Sequence, residues 1–317
     1  MALTLQEYAS YLDTRSDLSW PAVPEIERPR AKPSLTRLVG VRAVTWNIYG
    51  TLLALWGGQL YLEHPQKLMM DIALDKTIQE FKMWASMSRK PGQPADYLRQ
   101  IYANLVLEQQ AVPVAGEKFP EVSADRIWNS FIKKLFQKDY QFDALSMGSL
   151  NEFSRKVAYF FHASMQGTAC YPGAAAALRH VKAQGLAQGI LANTQCFSLI
   201  QLERGLVKQD LQAVASRLFD ANLIVCSHEL HSRLPSERIF RHILASASNK
   251  GIQPSEVLHI GSRIAQDVAP ARRLGMKTGL FAGDKASLEA TPEQLKDAYN
   301  RPDVLLTELT QIADVVG

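Results

Sequence analysis

The chain has 317 residues, roughly two domains' worth at about 150 residues each. With 47% apolar and 21% charged residues it is composed like an ordinary globular protein, which excludes wholesale disorder and allows a sizeable core without staples. The formal net charge is +4 without a long basic run, so nucleic acid is not an expected partner, and three cysteines without a CxxC pair form no disulfide framework, which points to a reducing, cytoplasmic setting.

The opening MALTLQEYAS lacks a basic start and an apolar core, so it does not read as a signal peptide. Leu5, Tyr8, Tyr11 and Leu12 stand at near-helical spacing, and the proline-rich WPAVPEIERPRAKPSL that follows holds the chain extended. Residues 1–40 therefore read as an arm, lying on its own domain or on a partner. VRAVTW (Val41–Trp46) is the first strong strand signal and runs directly into NIYGTLL. From about Leu55 to Gln166 the pattern is helical, in YLRQIYANLVLEQQ, ADRIWNSFIKKLFQK and SLNEFSRKVAYFFHASM, with SRKPGQPADY and AVPVAGEKFP as loops and the GGQ after Trp56 as a hinge. Phe81, Trp84, Tyr97, Tyr102, Trp128, Phe131 and Phe136 recur at helical spacing and are expected to form the core of this insert.

After Tyr171-Pro172-Gly173, GAAAALRHVKAQG reads as a helix closed by Gly185. QGILAN, LIVCS, VLHIG, TGLFAG and DVLL are short apolar runs separated by helical patterns. Such alternation implies a Rossmann-like parallel sheet with helices on both faces, an α/β architecture. Two charge-free runs, Ala43–Leu62 and Ala183–Leu202, carry too much Asn, Gln, Thr and Gly for lipid and read as a buried strand and its loop, so no membrane association is expected. The expected division is an arm at 1–40, a sheet domain at 41–56 and 167–317, and an inserted α-helical cap at 57–166.

Ligands of such sheets lie beyond the carboxyl ends of the strands. Four ends carry the candidates: Asn47, Tyr49 and Thr51; Ala192 and Asn193; Arg233 and Leu234; Ser262, Arg263 and Asp267. In order along the chain, WNIYGTLL, the stretch ending in ILANT, SRLPSERIF and HIGSRIAQDVAPARRLGM resemble the four motifs of the haloacid dehalogenase (HAD) superfamily. The resemblance spans about residues 41–317 and implies a HAD-like core with a helical cap inserted after its first strand. It also implies an attacking Asp after that strand, a Ser or Thr before Asn193, a Lys before Pro235 and, in the phosphatases, an acidic metal ligand opening the fourth motif.

This chain has Asn47, Ala192, Leu234 and Ser262 at those positions, while Tyr49, Thr51, Asn193 and Asp267 remain. A neutral amide is a poor nucleophile, and one carboxylate makes a poor cage for magnesium, which favours several hard oxygens. Tyr49 and Ser262 suit the metal-free dehalogenase branch, yet that branch also needs the Asp and the Lys. The expectation is a non-catalytic binding, regulatory or structural protein without a cofactor. The alternative is a dehalogenase-like or phosphatase-like hydrolase of altered mechanism, with Mg²⁺ only in that case. Thr51, Asn193, Arg233 and Arg263 are the candidate ligand contacts. Asp267 is expected to bond the loop of the first motif. The ligand is a small molecule between cap and core or a protein engaged through residues 1–40, and a homo-oligomer is the remaining expectation for partners. Cys226, His228, Glu229 and His231 read as a surface loop rather than a metal site, and His180 and His242 as ordinary helix-surface histidines.

Overall fold

The computed structural model describes residues 2–87, 94–111 and 116–317. Among the described residues there are eight strands: β1 (Ala43–Trp46), β2 (Leu53–Leu55), β3 (Thr168–Cys170), β4 (Ala187–Ala192), β5 (Ile224–Cys226), β6 (Val257–Gly261), β7 (Lys277–Phe281) and β8 (Val304–Leu306). Six of them form one parallel sheet in the order β5-β4-β1-β6-β7-β8. β1, β4 and β6 are buried along nearly their whole length, as a sheet covered on both faces requires. The order reverses around β1, whose neighbours are β4 on one side and β6 on the other. That switch point puts the residue after β1, Asn47, where α/β sheets gather ligands.

β2 and β3 form a separate antiparallel ribbon, Leu53 opposite Cys170 and Leu55 opposite Thr168. The chain leaves the sheet layer through β2 and returns through β3, and the helices between them make the insert. The helical pattern expected from Leu55 onward begins later: Trp56–Gly58 is a 3₁₀ turn, and the first long helix starts at Lys67. In the insert, Lys67–Glu80, Pro94–Gln110, Ala124–Phe136 and Leu150–Met165 pack around a common apolar cluster. Ala124–Phe136 shows why: Ile127, Trp128, Phe131, Ile132 and Leu135 form one buried stripe. Leu150–Met165 is started by a reciprocal cap in which the Glu152 carboxylate accepts from the Ser149 N–H at 2.8 Å.

Of the expected loops, residues 88–93 of SRKPGQPADY and 112–115 of AVPVAGEKFP lie outside the described residues, and Pro94 already opens a helix, its missing N–H costing nothing there. Two of the expected core aromatics face outward instead: Trp84 is 54% and Phe136 37% exposed. Trp84 sits in an isolated 3₁₀ turn, where helical spacing has no meaning, and Phe136 stacks at the helix end on Tyr140 and Phe142. Among the described residues no helix is long and apolar enough to cross a membrane.

The arm runs along the outside of both layers. Its helix Leu5–Asp13 carries a Thr4–Glu7 capping box and buries Tyr8, Ala9 and Leu12 in the insert's apolar cluster. Further on, Ser34 pairs with Leu305 in β8 through two backbone hydrogen bonds of 3.0 and 2.9 Å.

Candidate functional site

Asn47 follows β1 and is 3% exposed; Asp267, on the wide helical turn Ile264–Val268 after β6, is fully buried. Asn47 Nδ2 donates to Asp267 Oδ1 at 2.7 Å, and Asn47 Oδ1 accepts from the Ile48 N–H at 2.8 Å. A backbone N–H only donates, so the amide oxygen must face Ile48 and the amide nitrogen is left to face Asp267. The other Asp267 oxygen accepts from the Arg263 N–H at 3.0 Å. His259 Nε2 lies 3.6 Å from Asp267 Oδ1, and Thr45 Oγ1 holds the far side of that imidazole, 3.0 Å from Nδ1. Asn47, Ile48, Arg263 and Asp267 are thus joined in one buried hydrogen-bonded unit at the head of β1.

The remaining motif positions surround this unit unevenly. Ala192 is buried at the end of β4 and offers no hydroxyl. Asn193 Oδ1 accepts from the Leu234 N–H at 2.7 Å, so its oxygen ties the β4 end to the following loop. Leu234 itself is buried. Tyr49 donates its hydroxyl between Ser198 Oγ at 2.8 Å and Gln201 Oε1 at 2.6 Å, and burial holds the phenol well above its ordinary pKa despite the Ser198 bond. Ser262 Oγ and Thr51 Oγ1 are fully buried and, among the described residues, without a hydrogen-bond partner. Thr51 does not reach the cavity described next, so the structure does not bring it together with Asn193, Arg233 and Arg263.

Between Asn47, Tyr49, Asn193, Arg233 and Arg263 lies a cavity of about 50 Å³. That is space for about one or two waters, not for a substrate. Arg263 is buried and already engaged: Nη2 donates to the Gly58 carbonyl at 2.7 Å, and Nε stands 2.7 Å from Glu289 Oε1. Its role here is to bond the turn after β2, where the GGQ stretch stands. Arg233 is exposed, and its positive charge acts on Glu121.

Nothing in the sequence pattern singles out Glu121, which directly follows the AVPVAGEKFP loop signal. Residues 117–124 leave the insert and are stitched across the mouth of the cavity. Arg233 N–H donates to the Phe119 carbonyl at 2.8 Å, Ser236 Oγ to Glu117 at 2.8 Å and Ser227 Oγ to Glu121 at 2.5 Å. Gln195 spans the seam twice, donating to the Val122 carbonyl at 2.8 Å and accepting from the Ala124 N–H at 2.7 Å. Burial raises the pKa of Glu121, opposed by the Ser227 hydroxyl and the Arg233 charge. Glu121 also borders a larger, open cleft of about 750 Å³ between the insert helices and the turn at His228, Glu229 and His231. That turn is a short helix, Ser227–Leu230, not the loop expected, because the His231 N–H returns to the Ser227 carbonyl and closes a helical turn. Burial lowers the pKa of His228, which pairs with Thr194 Oγ1 at 3.0 Å. Among the described residues no group of three or more His, Cys, Asp or Glu is placed to hold a metal.

Magnesium, which the resemblance implies for phosphatases, does not fit these residues. Asp267 is the carboxylate paired with Asn47, and both of its oxygens face N–H donors; the Asn47 oxygen is turned to the backbone, and Glu121 across the cavity accepts from Ser227. A hard cation needs several free oxygens, and here it would meet donors.

Neither a protein-family profile nor a curated protein sequence matches the chain. Solved structures do. The 2-haloacid dehalogenase from Pseudomonas syringae pv. Tomato DC3000 aligns over 86% of this chain and 96% of its own length, with a TM-score of 0.52 at 17% identity. A HAD phosphatase from Thermococcus onnurineus covers the same shares at 19% identity, with a TM-score of 0.45. At such identities the likeness speaks for the backbone and not for the chemistry. The six-stranded parallel sheet, its switch point at β1 and the helices inserted between β2 and β3 are those of the haloacid dehalogenase-like fold, and this chain has that fold.

Proposed function

We propose that this chain is a HAD-like protein that works by binding and has given up covalent catalysis. One observation carries the reading: the side chain at the head of β1 is an amide whose nitrogen and oxygen are both spent on the protein itself. A nucleophile must present a free electron pair to substrate, and this one is neither charged nor free. Ala192 and Leu234 support the reading, since no hydroxyl and no ammonium stand where a transferred group's charge would be met. The solved dehalogenase shares the backbone, but the group that would displace halide is absent here.

The ligand proposed is a small molecule in the cleft between insert and sheet layer, near Glu121, Arg126, Arg155 and His228. Its size suits a site for a metabolite, and its walls offer both charges. A protein partner on residues 1–40 is the weaker reading, because much of the arm is packed on its own chain.

The test is a turnover screen with phosphomonoesters and 2-haloacids at high protein concentration, followed by intact-mass analysis. No turnover and no adduct on residue 47 are expected, while a bound metabolite raises the melting temperature, by about 2.7 kcal/mol of stabilisation at a hundred times its Kd. Turnover that disappears in Asp267→Ala, or a covalent adduct at position 47, establishes the altered-mechanism hydrolase instead.

A further inference from the structure

The arm touches the insert and the sheet layer in alternation. On the insert, Tyr8 and Leu12 are buried in its apolar cluster, Arg15 pairs with Glu80 at 3.1 Å, and Trp20 packs edge-on against Phe160 at 5.5 Å. On the sheet layer, Arg204 Nη1 donates to the Ala9 carbonyl at 2.5 Å and its other nitrogen pairs with Asp13. Further along, the Lys285 N–H donates to the Glu27 carbonyl at 2.7 Å, Ser34 pairs with Leu305, and the Leu38 N–H donates to the Val315 carbonyl at 2.8 Å.

Between Trp20 on the insert and Glu27 on the sheet layer the arm crosses Gly167, the residue at which the insert's last helix gives way to β3. A Cβ on Gly167 would stand 2.5 Å from the Pro21 carbonyl oxygen and 2.6 Å from that of Ala22. The backbones approach that closely only because position 167 has no side chain. The arm therefore lies directly over one of the two places where the chain passes between the layers.

We infer that residues 2–38 are a strap that clamps the helical insert onto the sheet layer and so keeps the seam at residues 117–124 closed over Asn47. A rigid-body swing of the insert would part the Arg204 anchors from the helix that carries Tyr8, or drag Ser34 off β8. The seam and the strap lie at different places, so each opposes a motion that the other alone would leave free. Segment-level closure of this kind controls access to buried sites in many proteins. The strap is independent of the binding function proposed above, since it would hold the seam shut over a catalytic centre just as well.

The test uses the full chain carrying Arg204→Ala, with a protease recognition sequence replacing residues 23–26, which lie between Trp20 on the insert and Glu27 on the sheet layer and of which Val23, Glu25 and Ile26 are exposed. The folded protein is cut there, which separates the insert-bound part of the arm from the part held on β8, and the uncut protein is the reference. Amide hydrogen exchange is followed by mass spectrometry in peptides covering 117–124 and 232–236, and in peptides covering β1 and β6. Cutting is expected to speed exchange in the seam peptides by about tenfold or more while β1 and β6 keep their rates. Unchanged seam rates overturn the inference. So does an equal acceleration of every peptide, because the arm would then contribute stability everywhere and clamp nothing.

Discussion

Asn47→Asp is the most telling substitution, because it restores an acid at the head of β1 in a setting that has been rebuilt around an amide. The amide nitrogen lies 2.7 Å from Asp267 Oδ1, and both side chains are buried. Two ionised carboxylates about 3.5 Å apart repel by about 5 kcal/mol at an effective dielectric constant of about 20. The introduced group escapes by keeping its proton and donating it to Asp267. At pH 7, about three pH units above the ordinary titration point of an aspartic acid, holding that proton costs about 4 kcal/mol. At pH 5 the same cost is about 1.5 kcal/mol. The sign follows from linkage: the introduced group binds its proton more tightly in the folded chain than in the unfolded one. The penalty is therefore absent below pH 4 and grows as the pH rises through the window above it. Urea denaturation of the wild type and the variant at pH 5 and pH 7 measures both values. Equal losses at the two pH values, or no loss at either, would refute the claim that Asp267 and the side chain at 47 face each other in a sealed pair. A further expectation is that the substitution alone gives no turnover, since Leu234 supplies no positive charge and the cavity admits no substrate.

Three other outcomes follow from the geometry. Gly58→Ala is expected to lose about 2–3 kcal/mol, because φ at Gly58 is +67° and a Cβ would meet the Ala286 carbonyl oxygen at 2.3 Å; thermal melts will show it, and a loss under 0.5 kcal/mol contradicts the tight turn. His162 is wholly buried beside Phe161 and Phe197, and burial lowers its pKa to about 3, so the chain should lose up to about 1.4 kcal/mol per pH unit as the pH falls from 6.5 toward 3. His162→Phe removes that term, and a variant with the same acid profile as the wild type would show that the imidazole is not buried neutral. Tyr49→Phe strips a buried hydroxyl from Ser198 and Gln201 and is expected to cost about 1–2 kcal/mol in denaturant unfolding, whereas a neutral result would mean that the two partners re-pair without it.

Much of the sheet was legible because its strands are short buried runs ending in recognisable turns: Val41–Trp46 and VLHIG contain β1 and β6, and QGILAN and TGLFAG overlap all but the first residue of β4 and β7. The insert helices were legible where an apolar stripe repeats over three turns, as in Ala124–Phe136. β2 and β3 were not, since three residues carry no period and their partnership spans more than a hundred positions. At the site, the order of the motifs pointed to Asn47, Asn193, Leu234 and Asp267 as neighbours of strand ends. It was silent on the seam, because the pairings of Glu121, Gln195 and Ser227 are long-range and leave no local trace. It also gave Arg263 and Arg233 equal standing as ligand contacts, whereas the fold turns the first inward onto Gly58 and Glu289 and leaves the second in solvent. Adjacent motif positions say which loop a side chain leaves, not which way it faces.

The pairing of Ser34 with Leu305 has a consequence for how the molecule behaves in crowded solution. β8 is the last strand on its side of the sheet, and a terminal strand with unspent N–H and carbonyl groups is a template on which other chains can add. Ser34 occupies both backbone groups of Leu305 and so blunts that template at its middle residue. Shortened forms of this protein that begin after residue 38 should accordingly self-associate and scatter light where the full chain stays dispersed.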